Sequence, residues 1–281
     1  MSPADAARVL DDFRRDGYTI VRGLVPHDTL DSIAREISGV LVRRAHSLDI
    51  PIGDGSGRAD LTAQLVALFE SDPTNYMAAA KLTQHLVAVH QLGVGAEILS
   101  VVAALGLSDP AISTRPVIHY MADKLRISGG YHKTPAHQDW RSVQGSLDGI
   151  TIWLPLFDVT ERDYPLEVVP ASHRRGLLPS AEHAFGHCVA EGYVDDSEFV
   201  TVPVARGDAI FFSGFLVHRT GTEGGDLARI ALSYRFNNAA EPTFVERNYT
   251  DRYLYRAQND LVFPDFPRSA DIEGTFPVPR A

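Results

Sequence analysis

Cysteine is almost missing from this 281-residue chain: Cys188 stands alone, which excludes an intrachain disulfide and a cysteine-rich zinc site. Positive charge is also in short supply. With 26 Lys and Arg against 36 Asp and Glu, the net charge of −10 works against nonspecific binding to nucleic acid or to an anionic membrane. No apolar run approaches the roughly 20 residues that cross a bilayer. The opening residues Met1-Ser2-Pro3-Ala4-Asp5 bring an early acid and no basic stretch followed by an apolar one, so no secretory signal is read there. Internal repeats, low-complexity tracts and a clear linker are missing too. These absences leave a soluble, cytoplasmic protein with small-molecule partners as the expectation, and oligomeric state is not legible.

What is present divides into two parts. Residues 1–110 are helix-rich: Ala4 to Asp16 is amphipathic with Gly17 as its stop, Tyr18 to Val21 reads as a short strand, and Asp28 to about His46 repeats Leu30, Ile33, Ile37 and Leu41 near a 3.6-residue period. Helices are also expected from Ala59 to Ser71 and from Thr74 to Leu105, with a break near Gly93. Between them, Ser47 to Gly57 has the Gly, Pro, Ser and Asp content of an exposed loop or of a lid. From 111 to 240 the chain changes to short runs rich in β-branched and aromatic residues, at 117–121, 149–154, 166–169, 199–202, 209–212 and 230–236, separated by turns. That spacing indicates a sandwich or barrel. A proline-rich tail within 241–281 is expected to be irregular. The whole reads as one domain.

Chemistry concentrates at Ala136-His137-Gln138-Asp139-Trp140. In a strand, residues two apart share a face, so His137 and Asp139 can offer an imidazole nitrogen and a carboxylate oxygen to one point. Taken alone, His-x-Asp is far more often a turn or strand end than a ligand pair. His218, in the apolar run Phe215-Leu216-Val217-His218, supplies a third ligand. Two histidines and a carboxylate leave coordination positions open, as non-haem Fe(II) oxygenases require. Arg229 follows His218 across Gly221 to Asp226, a plausible hairpin turn that puts it on the adjacent strand. Its planar fork can grip a carboxylate with two hydrogen bonds; the alternative is a surface arginine beside an acid.

These residues, in this order, resemble the phytanoyl-CoA hydroxylase group of Fe(II)/2-oxoglutarate-dependent dioxygenases. The resemblance runs through Phe13-Arg14-Arg15-Asp16-Gly17-Tyr18, His137-Gln138-Asp139, Pro165 to His173 with Gly176, Arg206-Gly207-Asp208-Ala209-Ile210-Phe211-Phe212, His218 and Arg229. It implies an α+β architecture with a double-stranded β-helix (jelly-roll, cupin-like) core buttressed by N-terminal helices. It further implies that His137, Asp139 and His218 hold Fe(II), that Arg229 binds 2-oxoglutarate with Thr220 assisting, and that O2 is consumed with release of succinate and CO2. Trp153 lines the pocket or belongs to the core. Related halogenases carry a small residue where Asp139 stands, so the carboxylate argues for hydroxylation or another oxidative outcome. Ala171, where the family often has glycine, and Asp163-Tyr164, for a common Asn-Gly turn, depart from the pattern at positions expected near the pocket rim.

Other candidates carry less. Trp140 and Arg141 either touch substrate or pack. Lys124, Arg126, Lys133 and Arg141 form a basic neighbourhood that favours an anionic substrate or simply occupies solvated strand edges. His173 reads as part of a Pro-x-Ser-His turn, and His183 and His187 as exposed. Gly93-Val94-Gly95 lacks the third glycine of a dinucleotide loop. Competing readings are a cupin-like hydrolase or isomerase with the same three ligands, in which Arg229 has no task, and a non-catalytic module.

Overall fold

The computed structural model describes residues 2–126, 133–184 and 186–250. The proline-rich tail lies outside these residues.

Helix α1 (Pro3–Asp16) begins where the Ser2 side chain accepts the Asp5 N–H. It ends at Gly17, whose φ of +83° is the left-handed stop glycine adopts without strain. Strand β1 (Tyr18–Val21) follows, then α2 (His27–His46), whose buried stripe is the one the sequence predicts. α3 (Arg58–Ser71) packs beside it. The segment between them is anchored to the helices on both sides. The Gln64 carboxamide donates to the carbonyls of Gly53 (2.9 Å) and Gly55 (2.8 Å), while Ile50 and Ile52 pack on the core.

The expected long helix from 74 to 105 is three: α4 (Pro73–Thr83), α5 (Val87–Gly93) and α6 (Ala96–Ala104). The break at 84–86 has no Gly or Pro to announce it. It falls where the Thr83 hydroxyl turns back to the Ala80 carbonyl and meets Tyr120 Oη, so tertiary contact ends the helix. Val87–Ala104 has the length and apolarity of a membrane span, but it is divided between α5 and α6, with Val89, Ile98, Val101 and Val102 in the core.

Five further elements, β2 (Pro110–Ile112), β3 (Val117–Met121), α7 (Trp140–Val143), β4 (Ile150–Pro155) and β5 (Leu166–Val168), lead to the exposed hairpin β6 (Ser180–His183) and β7 (Gly186–Val189). Strands β8 (Val200–Val202), β9 (Ala209–Ser213), β10 (His218–Thr220) and β11 (Arg229–Asn238) and helix α8 (Pro242–Glu246) complete the order. The larger sheet runs β1-β9-β4-β11, with β2 and β3 both on the far side of β11; the smaller runs β10-β5-β8. All paired neighbours are antiparallel, and the two sheets are the walls of the double-stranded β-helix.

Strand periodicity of two splits the larger sheet cleanly. Ile150, Ile152 and Leu154 of β4, Phe211 of β9, and Ile230, Leu232, Tyr234 and Phe236 of β11 face the helices in one shared core. Alternate residues Trp153, Ile210, Phe212 and Ala231 face the smaller sheet and pack with Leu166, Val168 and Val202. Both faces are buried, which is why these strands read as continuous apolar runs.

Candidate metal centre

On the inner face the chain collects its polar residues. His218 begins β10 opposite Val168, and His137 forms a two-bond antiparallel bridge to it, N to O at 3.0 and 3.1 Å. The rings lie 4.1 Å apart. Each Nδ1 meets the carbonyl two residues back, Pro135 at 2.8 Å and Leu216 at 3.0 Å. A ring nitrogen facing a carbonyl must donate, so Nδ1 carries the hydrogen and Nε2 keeps the lone pair that ligates a metal.

Asp139 completes the set by a different local route from the one expected. Its backbone is helical (φ −61°, ψ −33°) and caps α7, so the pair is not a plain strand repeat. Its Oδ1 still lies 3.5 Å from His137 Nε2 and 4.0 Å from His218 Nε2. Ligand atoms of the three residues sit within 4.8 Å of one another, and all three residues are buried.

Electrostatics prepare the same group for a cation. Burial alone pushes the Asp139 carboxyl up, but the Arg235 guanidinium and then the two histidines outweigh it and hold the group well below the carboxylate range. Arg235 donates to both carboxylate oxygens, and the Thr151 hydroxyl donates to Oδ2 at 2.7 Å. Burial, then neighbouring His137, pushes the His218 imidazole down to about 3, so it is neutral and able to ligate. This donor set, an anionic oxygen with two imidazole nitrogens, fits a divalent iron ion.

The centre opens into a cavity of about 360 Å³. Arg229, Thr220 and Trp153 all line it. Arg229 is buried, donates through Nη1 to the Tyr164 carbonyl and passes 5.7 Å over the Trp153 ring. Its Nε is buried without a partner. Burial lowers its pKa to about 10, so it stays charged at neutral pH. A buried cation with an unpartnered donor fits a carboxylate of 2-oxoglutarate. The route to this position corrects the expected hairpin: β10 pairs with β5 and β11 with β4 and β3, so Arg229 comes from the opposite sheet. The link after Thr220 crosses between walls, with Gly221 bonded to the Pro165 carbonyl.

Trp140 and Arg141 do not line this cavity, although Trp140 borders a small pocket beside Asp139, Thr151 and Arg235. Because Asp139 starts a helical turn, each following residue rotates by about 100°, and Ser142 is the one that reaches the large cavity. Trp140 stacks on Phe215 at 5.3 Å, and Arg141 donates to the Leu178 carbonyl at 2.6 Å. The basic neighbourhood disperses likewise: Arg126 pairs with Asp123, Lys133 donates to the Thr222 carbonyl, and neither they nor Lys124 line the cavity. Ser172 and His173 are structural, the Ser172 hydroxyl accepting the Val217 N–H and His173 packing under Gly17. Sequence reading missed Arg235, Thr151, Gln84 and His119. For Arg235 a signal existed: Arg229, Ser233 and Arg235 share one face of the strand in a stretch, 229–236, that is otherwise apolar or aromatic.

Comparison with known proteins agrees with this geometry. The family model for phytanoyl-CoA dioxygenase (PhyH) matches residues 13–231. A methylphosphonate hydroxylase of Gimesia maris is 30% identical over 196 residues, covering 68% of this chain and 71% of that protein. A 1-deoxypentalenic acid 11-beta-hydroxylase of Streptomyces exfoliatus is 28% identical over 95 residues, 31% of this chain and 34% of that one. Among solved structures, the epimerase SnoN in complex with Fe3+, alpha ketoglutarate and nogalamycin RO superposes with a TM-score of 0.59 at 20% identity, covering 85% of each chain. EctD from S. alaskensis with 2-oxoglutarate and 5-hydroxyectoine gives 0.53 at 17% identity, over 86% of this chain and 77% of that one, and at such identities the likeness shows the fold. With the family model spanning most of the chain and the ligand set in its expected order, the protein belongs to the phytanoyl-CoA dioxygenase family.

Proposed function

We propose that this protein is an Fe(II)- and 2-oxoglutarate-dependent oxygenase that hydroxylates a small molecule, releasing succinate and CO2. The observation that carries the reading is Arg229: a charged, buried guanidinium with an unpartnered Nε on the cavity that holds His137, Asp139 and His218. A cupin-like hydrolase or isomerase gives such an arginine no task.

His137, Asp139 and His218 would hold the ion and leave positions open for cosubstrate and O2. When bound, iron and 2-oxoglutarate supply the oxidising power for attack on a C–H bond. The chain's own contribution is placement. Arg229 would take the distal carboxylate, Thr220, buried on the facing wall of the same cavity, would assist, and Trp153 lies under the guanidinium. Arg235 and Thr151 keep Asp139 ionised and fixed in direction. Because Asp139 occupies the position that halogenation would leave open, hydroxylation is the favoured outcome. The core that the helices and larger sheet share supports a single domain, and the lone Cys188 suits a cytoplasmic setting.

The test is succinate formation from 2-oxoglutarate under air with Fe(II) and ascorbate, using pooled candidate substrates. Substrate-stimulated succinate that disappears in His137→Ala is the expected result. Turnover of a substrate that proceeds without 2-oxoglutarate would favour the hydrolase or isomerase instead.

A further inference from the structure

The cavity wall that carries no metal ligand is made partly by α4, which lays Tyr76, Met77, Ala80, Lys81 and, at its end, Gln84 along one stripe. Gln84 is 8% exposed, and its Oε1 is buried with no hydrogen-bond partner. An unpartnered buried amide oxygen is costly unless a donor arrives to bond it. Lys81, one turn earlier, is exposed at the rim and has no ion pair among the described residues.

Charge narrows what can arrive. Among the described residues four side chains on the cavity are cations, and three have assignments: Arg219 pairs with Glu167 and Asp196, Arg235 with Asp139, and Arg229 faces the cosubstrate position. Lys81 is left over. Among the described residues the one carboxylate on the cavity is Asp139, which is committed to the metal, so a cationic substrate would find no counter-charge among them. A third group, the His119 imidazole, stands on β3 on the cavity wall and is kept neutral by burial.

We propose that Lys81 and Gln84 read the substrate, and that it is a small organic anion, a carboxylate or phosphonate, whose charged group pairs with Lys81 and whose neighbouring polar group hydrogen-bonds Gln84. This rests on the oxygenase reading, since it takes Arg229 to be occupied by 2-oxoglutarate. The volume of about 360 Å³, shared with that cosubstrate, suits a substrate of a few heavy atoms rather than a long chain.

The experiment uses full-length protein loaded with Mn(II) and saturating 2-oxoglutarate under nitrogen, with binding followed by calorimetry. Glycolate and hydroxymethylphosphonate are the anionic probes, separating carboxylate from phosphonate, and glycolamide is the neutral control. Both anions, or one of them, should bind more tightly than glycolamide. Lys81→Met and Gln84→Leu should each weaken that binding by about fivefold or more, while 2-oxoglutarate affinity, which reports folding and the Arg229 site, stays at the native value. Glycolamide binding as tightly as the anions, or native anion affinity in both variants, would overturn the proposal. Failure of the native, metal-loaded protein to bind 2-oxoglutarate would instead overturn the oxygenase reading, and this inference with it.

Discussion

Arg235 grips Asp139 with two hydrogen bonds, Nε to Oδ2 at 3.0 Å and Nη2 to Oδ1 at 3.2 Å. The pair joins β11 to the start of α7, and it makes a buried carboxylate tolerable before any metal binds. Removing the cation should therefore cost most in the metal-free protein. Arg235→Leu is expected to lose about 3–5 kcal/mol of stability without metal and to recover part of it when Mn(II) is added. Urea denaturation with and without the ion measures this, and equal losses in both states would show that the pair does not serve the site.

Thr151 faces Arg235 across the β4–β11 register and donates to the same carboxylate. Thr151→Val keeps the shape and removes the donor. Such supporting contacts typically govern metal affinity by about 10–100-fold, so an iron titration should show a loss at the low end of that range with little change in fold by circular dichroism.

Arg229→Leu should separate cosubstrate from metal. Losing a charge-assisted, two-pronged contact is expected to raise the KM for 2-oxoglutarate by about a hundredfold, equivalent to ~2.7 kcal/mol, while iron stoichiometry stays native. Parallel loss of iron would place Arg229 in the metal site rather than beside it.

Two imidazoles on the cavity, His218 and His119, set an acid limit on stability. His218 is pushed down to about 3 by burial and by His137, and His119 to about 3 by burial and then by Arg229 and Arg235. Between the ordinary histidine value of about 6.5 and that figure, the unfolded chain binds protons the folded chain refuses. Stability of the metal-free protein should thus be constant above about pH 7 and fall as pH drops, by at most ~1.4 kcal/mol per pH unit for each histidine. Thermal unfolding at several pH values should show a shallower acid slope for His119→Gln, and an unchanged slope would remove His119 from the account.

Much of this protein was decided by local sequence. Gly17 ends α1 because only the left-handed region closes that helix, and the stripe of Leu30, Ile33, Ile37 and Leu41 made α2 legible because helical period and burial coincide. His137, Asp139, His218 and Arg229 could be named from residue type and order. Their arrangement could not. The hairpin expected between His218 and Arg229 fails because β10 and β11 belong to opposite walls, and which strands pair is a long-range choice that alternation along one strand does not record. Trp140 and Arg141 lie off the larger cavity because Asp139 takes a helical backbone, set by the Trp140 N–H reaching the Gly214 carbonyl 74 residues ahead in sequence. Gln84 and Lys81 looked like ordinary helix surface until the fold laid α4 against β3 and turned that surface into a wall of the cavity. Sequence thus determined the elements and the chemical groups, through local periodicity and side-chain type. Tertiary structure alone decided which groups face one another, because that depends on packing between segments far apart in the chain.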